Sequence, residues 1–222
     1  TLRDGFQQEG ISPSVKDKIA IAKLIDSLGV SFIEGGWPGA SPKEEEFFET
    51  AKRELKLKNA KLVSFGSTRK LDLSAKDDPQ VKALVDSGTD YICIVGKSSK
   101  LHITKALQTD VDSAIDMAVD TILYLKSKGK KVFFDAEHFF DGYKEDSETS
   151  LKILESVVTA GADCFIFCDT NGGTLPEEVR KILSEVIEQY PKTKFGVHFQ
   201  NDNGCAVVNS MVAVDLGVDH VQ

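Results

Sequence analysis

Apolar and polar positions along the chain follow one repeating pattern. A helix-like segment ends at a glycine, and an apolar run begins within a residue or two, as at Gly29, Gly88, Gly161 and Gly217. Glycine just past a helix adopts the left-handed conformation at little cost, so these positions indicate helix ends. The runs that follow are continuously apolar, which is typical of parallel strands covered on both faces.

This pattern predicts a set of strands separated by helices. The strands lie near residues 30–36, 60–66, 89–96, 131–137, 162–169, 194–200 and 218–222, after a truncated first strand that ends at Leu2. Helix starts are indicated at Ser12-Pro13, Ser41-Pro42, Asp78-Pro79 and Leu175-Pro176, because proline suits the first helical position. Glu44, three residues after Ser41, has the spacing of a capping box.

Strand and helix alternating roughly eight times indicate an α/β fold of the (β/α)8 barrel type. An open doubly wound sheet is the alternative, but no glycine-rich dinucleotide motif follows an early strand. We expect residues 1–222 to form one catalytic barrel domain, incomplete at strand 1 and at strand and helix 8. The chain then represents a fragment of a longer polypeptide.

Composition narrows the classes of function. The 222 residues are 41% hydrophobic and 28% charged, with a formal net charge of -8. This charge argues against nucleic acid or an anionic membrane surface as a general partner. No apolar run reaches the roughly 18 residues that a membrane span needs. Cys93, Cys164 and Cys168 lie in apolar runs and Cys205 lies elsewhere, so we expect reduced, buried thiols and a cytoplasmic protein.

Polar residues interrupt the apolar runs where the strands end, which is where barrel enzymes carry their chemistry. They are Asp4, Glu34, Lys97, Asp135, Glu137, Asp169, Thr170, His198 and Gln200. His198 and Gln200 are two apart, so their side chains share one face of a strand. Asp4 and His198 supply a carboxylate and an imidazole for Mg²⁺, Mn²⁺ or Zn²⁺, and Gln200 could add an amide oxygen. For the isolated His102 and His220 a structural role is the better interpretation.

Several stretches resemble a family of metal-dependent barrel enzymes that contains lyases and the 2-isopropylmalate, homocitrate and citramalate synthases. Residues 1–7 (TLRDGFQ) resemble the opening of the family, and five further stretches resemble its citramalate-type members in particular. These are residues 33–39 (IEGGWPG), 96–98 (GKS), 135–144 (DAEHFFDGYK), 168–176 (CDTNGGTLP) and 196–202 (GVHFQND). The similarity runs along the whole chain.

The resemblance implies roles for single residues. Asp4 and His198 would be metal ligands, and Arg3 would neutralise the oxyanion that forms on the keto oxygen. Thr170 would hydrogen-bond the substrate carboxylate, and Gln7 would also contact substrate. Glu137 would help to remove a proton from the methyl group of acetyl-CoA, a general-base task.

Two departures from the family pattern matter. The pattern at the seventh strand is His-x-His, whereas this chain has His198-Phe199-Gln200; the loss of an imidazole should weaken metal binding, although an amide oxygen can serve a hard ion. A Trp-Asp pair of related chains appears here as Ser99-Lys100. Family members also continue with an Asn-Gly-x-Gly-Glu-Arg segment, which supplies a further metal ligand, and with a C-terminal accessory region.

The resemblance implies an acyltransferase that joins acetyl-CoA to a 2-oxo acid by Claisen condensation. With pyruvate the products would be (R)-citramalate and CoA, in isoleucine and leucine biosynthesis. The expected partners are these small molecules, with neither nucleic acid nor membrane, and the full-length protein is expected to be a homodimer. Three alternatives stay open: a 2-isopropylmalate or homocitrate synthase, a hydroxymethylglutaryl-CoA lyase-like aldolase, and a barrel that no longer binds metal.

Overall fold

The computed structural model describes residues 2–222. Its strands are β1 Phe32–Gly36, β2 Lys61–Ser67, β3 Tyr91–Lys97, β4 Lys131–Glu137, β5 Cys164–Asp169, β6 Phe195–Phe199 and β7 His220–Val221. Its α-helices are α1 Val15–Ser27, α2 Pro42–Glu54, α3 Pro79–Asp86, α4 Lys100–Lys105, α5 Val111–Ser127, α6 Phe139–Glu145, α7 Ser147–Thr159, α8 Pro176–Gln189 and α9 Ala206–Asp215. A short 3-10 helix covers Asp4–Phe6.

The strand order in the sheet is the order of the sequence, from β1 to β7. The pairs β1–β2, β4–β5, β5–β6 and β6–β7 are parallel, and helices separate consecutive strands. This is the topology of an incomplete (β/α)8 barrel, so the predicted fold class is confirmed. No strand is assigned at Leu2, which is buried, and the rest of the predicted first strand (Thr1) lies outside the described residues.

The proline signals locate three of the four predicted helix starts. Pro42, Pro79 and Pro176 each stand at the first turn of their helix. The start predicted at Ser12-Pro13 is wrong: α1 begins at Val15, and its N-cap is Ser14. The Ser14 hydroxyl accepts from Asp17 N–H, and the Asp17 carboxylate accepts from Ser14 N–H, a reciprocal cap that satisfies two donors at the helix end.

Contacts divide the chain into two compact units, which we describe separately. Unit one contains the chain up to Ile94 together with Tyr124–Lys131, and unit two contains Val95–Leu123 and Val132–Gln222. The core of unit one lies between α1, α2 and β1, where the following residues are buried: Leu2, Ile19, Ala22, Ile33, Phe47, Phe48, Ala51 and Ala60. Burial of such side chains is the main favourable term in folding.

Phenylalanines dominate the core of unit two. Every residue of β5 is buried, and the Phe139 ring contacts the rings of Phe165 and Phe167 edge-on, at centroid distances of 5.8 and 4.7 Å. Edge-to-face pairs of this kind add to the energy of burial. Gly142 in α6 faces the backbone of the segment before α4, because an added Cβ would lie 2.6 Å from the Ser98 carbonyl oxygen. The helix therefore packs closely against the end of β3.

Aspartates bind main-chain amides where strands begin. The Asp163 carboxylate accepts from Val132 N–H at 2.8 Å, and the Asp219 carboxylate accepts from Phe195 N–H at 3.2 Å. In unit one, Asp26 accepts from the N–H groups of residues 58, 59 and 60, just before β2. These hydrogen bonds satisfy amide donors that would otherwise be left without a partner at the start of a strand.

The burial predicted for the three cysteines in apolar runs is confirmed. Cys93, Cys164 and Cys168 are buried, Cys205 is half-buried, and all are free. Burial raises the pKa of the Cys164 thiol to about 12, so this group stays protonated and unreactive near neutral pH. Within residues 2–222, each helix is too short or too polar to cross a membrane.

Candidate active site

In unit one, the Arg3 guanidinium is held between two carboxylates and a ring. Its Nη1 donates to Asp4 at 3.1 Å, its Nε donates to Glu34 at the middle of β1, and its carbon lies 3.9 Å from the centre of the Phe65 ring. The Arg3 and Glu34 side chains are only 12% and 18% exposed, whereas that of Asp4 is 37% exposed. The structure thus brings the predicted residues Arg3 and Asp4 together and leaves an oxygen-bearing side chain accessible.

Gln7, the third predicted residue of this segment, caps the 3-10 helix and is exposed. Its backbone N–H donates to the Asp4 carbonyl oxygen at 3.0 Å. Its exposure is compatible with a contact to substrate. Exposure alone does not establish such a contact, so the role of Gln7 in substrate binding stays a prediction.

A buried lysine, which the sequence interpretation missed, holds the loop after β1. Lys18 is 1% exposed and donates from Nζ to Glu44 at 2.7 Å, and the other oxygen of Glu44 accepts from Trp37 N–H at 3.1 Å. Burial lowers the pKa of Lys18, against the opposing effect of Glu44. Gly36 has a φ of +143°, and a Cβ there would overlap the Glu44 carboxylate. The sequence carried a sign of this burial, because Lys18 lies four residues before Ala22 and therefore on the same buried face of α1.

In unit two, Glu137 ends β4 beside a lysine from the end of β3. Lys97 Nζ donates to a Glu137 carboxylate oxygen, and the two side chains are 23% and 25% exposed. The Glu137 carbonyl oxygen accepts from both Ser98 N–H and the Ser98 hydroxyl, at 3.0 and 2.7 Å. The backbone of Glu137 is therefore fixed, while its carboxylate stays partly accessible and is held by the Lys97 ammonium group.

Thr170, at the end of β5, has its hydroxyl oriented by the backbone. Its oxygen accepts from His138 N–H at 2.8 Å, so the hydroxyl hydrogen is available to another acceptor. The preceding Asp169, which the sequence also placed at the strand ends, has a structural role. It is 1% exposed, and its carboxylate accepts from the N–H and hydroxyl of Thr174 at 3.0 and 2.9 Å.

His138 follows Glu137 in the left-handed conformation, with a φ of 59°. Its ring stacks on that of His102 at 3.6 Å, and its Nδ1 lies 3.7 Å from Asp141. Burial, followed by the charge on His102, lowers the pKa of His138. Burial also lowers the pKa of His220, whose ring packs on Phe133. His102 and His220 thus pack against rings, as a structural role predicts.

The predicted pair His198 and Gln200 meets at the end of β6. The Gln200 side-chain nitrogen lies 3.2 Å from His198 Nε2, and both side chains are half-buried. On the other side of the ring, His198 Nδ1 lies 2.7 Å from Gln222 Oε1, and Gln222 Nε2 donates to Asp135 at 3.2 Å. A continuous hydrogen-bonded row therefore runs from Gln200 to Asp135.

Within this row, His198 and Gln200 are spaced as two ligands of one metal ion would be. Two ligands about 2.1 Å from one ion and about a right angle apart are about 3.0 Å from each other, close to the 3.2 Å between His198 and Gln200. A half-turn of the Gln200 amide exchanges its nitrogen for its oxygen. Among residues 2–222, the structure forms no ready-made group of three or more histidine, cysteine or acidic ligands. The ligand set Asp4, His198 and Gln200, with one member in unit one, therefore stays a prediction.

The chain also resembles known proteins along its length. A family model described as HMGL-like matches residues 1–222. The chain is 48% identical, over 100% of its length, to an (R)-citramalate synthase of Streptomyces coelicolor, of which it covers 41%. It is 32% identical, over 98% of its length, to a homocitrate synthase of Sulfurisphaera tokodaii, of which it covers 45%. The chain thus spans less than half the length of these relatives.

Among solved structures, a crystal structure of an HMG-CoA lyase from Bacillus subtilis superposes with a TM-score of 0.82. The two sequences are 18% identical, and the match covers 99% of this chain and 72% of the lyase chain. At this identity the similarity concerns the fold alone. It agrees with the barrel topology described above.

Proposed function

Because the chain belongs to the HMGL-like family, we propose that it is the catalytic barrel of an enzyme that joins acetyl-CoA to pyruvate. The products are (R)-citramalate and CoA. The observation that carries the proposal is the identity of 48% to an (R)-citramalate synthase over the whole chain, against 32% to a homocitrate synthase. The difference in identity favours pyruvate over a larger 2-oxo acid.

We propose Asp4, His198 and Gln200 as ligands of a divalent metal, Mg²⁺ or Mn²⁺ with Zn²⁺ as a further candidate, because carboxylate, imidazole and amide groups suit such ions. When bound, such an ion polarises the keto group of the 2-oxo acid as a Lewis acid. The His198–Gln200 distance supports this assignment in unit two. Asp4 contributes a carboxylate that remains 37% exposed beside Arg3.

Arg3, Thr170 and Gln7 bind and orient the 2-oxo acid in this proposal. The Arg3 guanidinium has five N–H donors, and its hydrogen bonds to Asp4 and Glu34 hold it in place for the oxyanion of the transition state. Thr170 donates its hydroxyl hydrogen to the substrate carboxylate, because its oxygen already accepts from His138 N–H. Gln7 contacts substrate from its exposed position.

Glu137 serves as the general base. Its carboxylate takes a proton from the methyl group of acetyl-CoA, and the resulting enolate carbon forms the new bond to the keto carbon of pyruvate. The keto oxygen takes up one proton in place of the one that Glu137 removed, and water then cleaves the thioester to a carboxylate and the CoA thiol, with release of one proton. Lys97 holds the Glu137 carboxylate before the reaction, and positioned bases of this kind accelerate proton transfer by about 10²–10⁴-fold.

The product enters isoleucine and leucine biosynthesis, the full-length protein is a homodimer, and the enzyme is cytoplasmic. The free state of all four cysteines supports the last of these, because thiols stay reduced in that compartment. The dimer rests on the family resemblance.

The alternatives differ in what supports them. The homocitrate synthase relative is compatible with 2-oxoglutarate as acceptor, whereas the similarity to an HMG-CoA lyase, at 18% identity, supports the barrel fold and no particular reaction. Gln200 at the position of the second histidine in the His-x-His pattern is the observation that favours a metal-free barrel. The identity to an (R)-citramalate synthase is higher than that to the homocitrate synthase.

The decisive experiment uses the full-length protein with Mg²⁺ or Mn²⁺, acetyl-CoA and a panel of 2-oxo acids. CoA release is measured with a thiol reagent, and the product is identified by chiral chromatography. We expect release with pyruvate and formation of (R)-citramalate. Release with 2-oxoisovalerate or 2-oxoglutarate but not pyruvate would refute the substrate assignment. Cleavage of hydroxymethylglutaryl-CoA without any condensation would favour the lyase, and the absence of Mn²⁺ binding would favour the metal-free barrel.

A further inference from the structure

Gln222 connects the proposed metal ligand His198 to a buried carboxylate. Its backbone N–H donates to the Val197 carbonyl oxygen at 3.0 Å, next to the β6–β7 pair Val197–Val221. In this register Gln222 lies beside His198, and side chains at the same level of neighbouring parallel strands point to the same face of the sheet. The Gln222 side chain therefore reaches both His198 and Asp135, which is 3% exposed.

The hydrogen-bond partners fix the orientation of the Gln222 amide. A carboxylate only accepts hydrogen bonds, so the Gln222 NH₂ group faces Asp135, at 3.2 Å. Its carbonyl oxygen then faces His198 Nδ1, at 2.7 Å, and requires a hydrogen on that nitrogen. In the neutral ring, Nε2 is left with its lone pair, and the Gln200 NH₂ group at 3.2 Å is a matching donor. Each of the three hydrogen bonds in the row thus pairs a donor with an acceptor.

We propose that Asp135 and Gln222 are positioning residues that hold His198 in the Nδ1–H tautomer, with Nε2 directed to the metal. The inference rests on the proposed function, because it takes His198 as a ligand. Histidine ligands usually donate their second N–H to a carboxylate or a carbonyl oxygen, and loss of that partner weakens metal affinity by about 10–100-fold. Here the Gln222 amide forms hydrogen bonds to both the Asp135 carboxylate on β4 and the His198 ring on β6.

The test measures Mn²⁺ affinity of the full-length protein by calorimetry, with no substrate present. We expect Gln222→Ala to weaken binding by about 10–100-fold, and Gln222→Glu to weaken it because two carboxylates then face each other. The double variant Asp135→Asn/Gln222→Glu should regain affinity, since the introduced amide can donate to the introduced carboxylate, which in turn accepts from His198 Nδ1. Gln189→Ala, in the exposed last turn of α8, is the matched control and should bind as wild type does.

A second measurement separates this inference from the proposed function. In metal-free protein labelled with ¹⁵N-histidine, two-bond proton–nitrogen correlations report the tautomer of His198, identified by its absence in His198→Gln. We expect the Nδ1–H form in wild type and a mixture in Gln222→Ala. A wild-type Nε2–H form, or a double variant no tighter than Gln222→Glu, would overturn the inference. Absence of Mn²⁺ binding with an Nδ1–H His198 would instead count against the proposed function alone.

Discussion

Carboxylates occupy both ends of the strands, but their hydrogen-bond partners differ between the two ends. At the starts of β2, β4 and β6, main-chain amides donate to the carboxylates of Asp26, Asp163 and Asp219. Along β1 and at the end of β4, those of Glu34 and Glu137 accept from side-chain cations, Arg3 and Lys97. A main-chain amide has one N–H donor, which these carboxylates occupy, whereas a side-chain cation has further N–H donors that can bind a substrate anion.

The comparison agrees with the division of barrels into a stabilising and a catalytic face. The residue type alone does not decide the role, since Asp169 also ends a strand yet is buried and bound by Thr174. The nature of the partner decides it. Substitutions at the two ends should therefore separate activity from stability.

The largest effect is expected for Glu137→Gln in the full-length enzyme. Glutamine keeps the size of the side chain and cannot accept the methyl proton, so kcat should fall by about 10²–10⁴-fold. The urea midpoint should change little, because the Ser98 hydrogen bonds to the Glu137 carbonyl oxygen remain. Glu188→Gln, in the exposed last turn of α8, is the control for CoA release. A kcat within a few-fold of wild type would exclude Glu137 as the base.

Asp163→Ala should show the opposite profile. It leaves Val132 N–H without its side-chain acceptor, and an unsatisfied amide costs about 1–3 kcal/mol of unfolding free energy. Urea unfolding measures this loss, and kcat of the folded enzyme should stay near that of wild type. Asp163→Asn retains an acceptor oxygen and should lose less. An equal loss in both variants would show that the hydrogen bond to Val132 is not the source of the stability.

A smaller effect, at the catalytic end, is expected for Gln200→His. An imidazole is a stronger ligand than an amide oxygen for Mn²⁺ or Zn²⁺, so the variant should bind Mn²⁺ about tenfold more tightly, or about 1.4 kcal/mol. Calorimetric titration of the full-length protein measures the change, with Gln189→His as the control. An unchanged affinity would mean that Gln200 is not a ligand, despite its distance of 3.2 Å from His198.

The sequence was sufficient for the fold because its signals are local. Continuous apolar runs and glycine helix ends located all seven described strands, and β4 was placed at the residues where it is observed, Lys131–Glu137. The predicted start of α1 was wrong because the helix is capped by Ser14 and Asp17, so it begins at Val15 and not at Pro13. A proline suits a first turn but does not require one.

The site was less predictable because partners come from distant parts of the chain. His198 and Gln200 share a face through their spacing, whereas the row to Gln222 and Asp135 depends on strand register. Lys18 and Glu44 are 26 residues apart, and no local pattern pairs them. Burial likewise separates the structural Asp169 from the half-buried Thr170, although the two are adjacent in the sequence.

The smallest effect is expected for the pH dependence of stability at Asp26. Backbone hydrogen bonds, first that from Ala60, lower the pKa of the Asp26 carboxyl from its ordinary value of 3.8. The unfolded state therefore binds the proton at higher pH than the folded state, and the stabilisation is present above pH 3.8 and is lost as the pH falls through the folded value. Asp26→Asn should thus be less stable than wild type near neutral pH.

In acid the difference between wild type and Asp26→Asn should shrink, because the protonated carboxyl and the amide are both neutral. Urea midpoints measured from about pH 2.5 to pH 7 give the two curves, with Asp72→Asn at an exposed position as the control. Parallel curves for wild type and Asp26→Asn would show that the amides before β2 do not depend on a charged carboxylate. If the urea midpoint of wild type falls more steeply in acid than that of Asp26→Asn, the charged Asp26 carboxylate stabilises the start of β2.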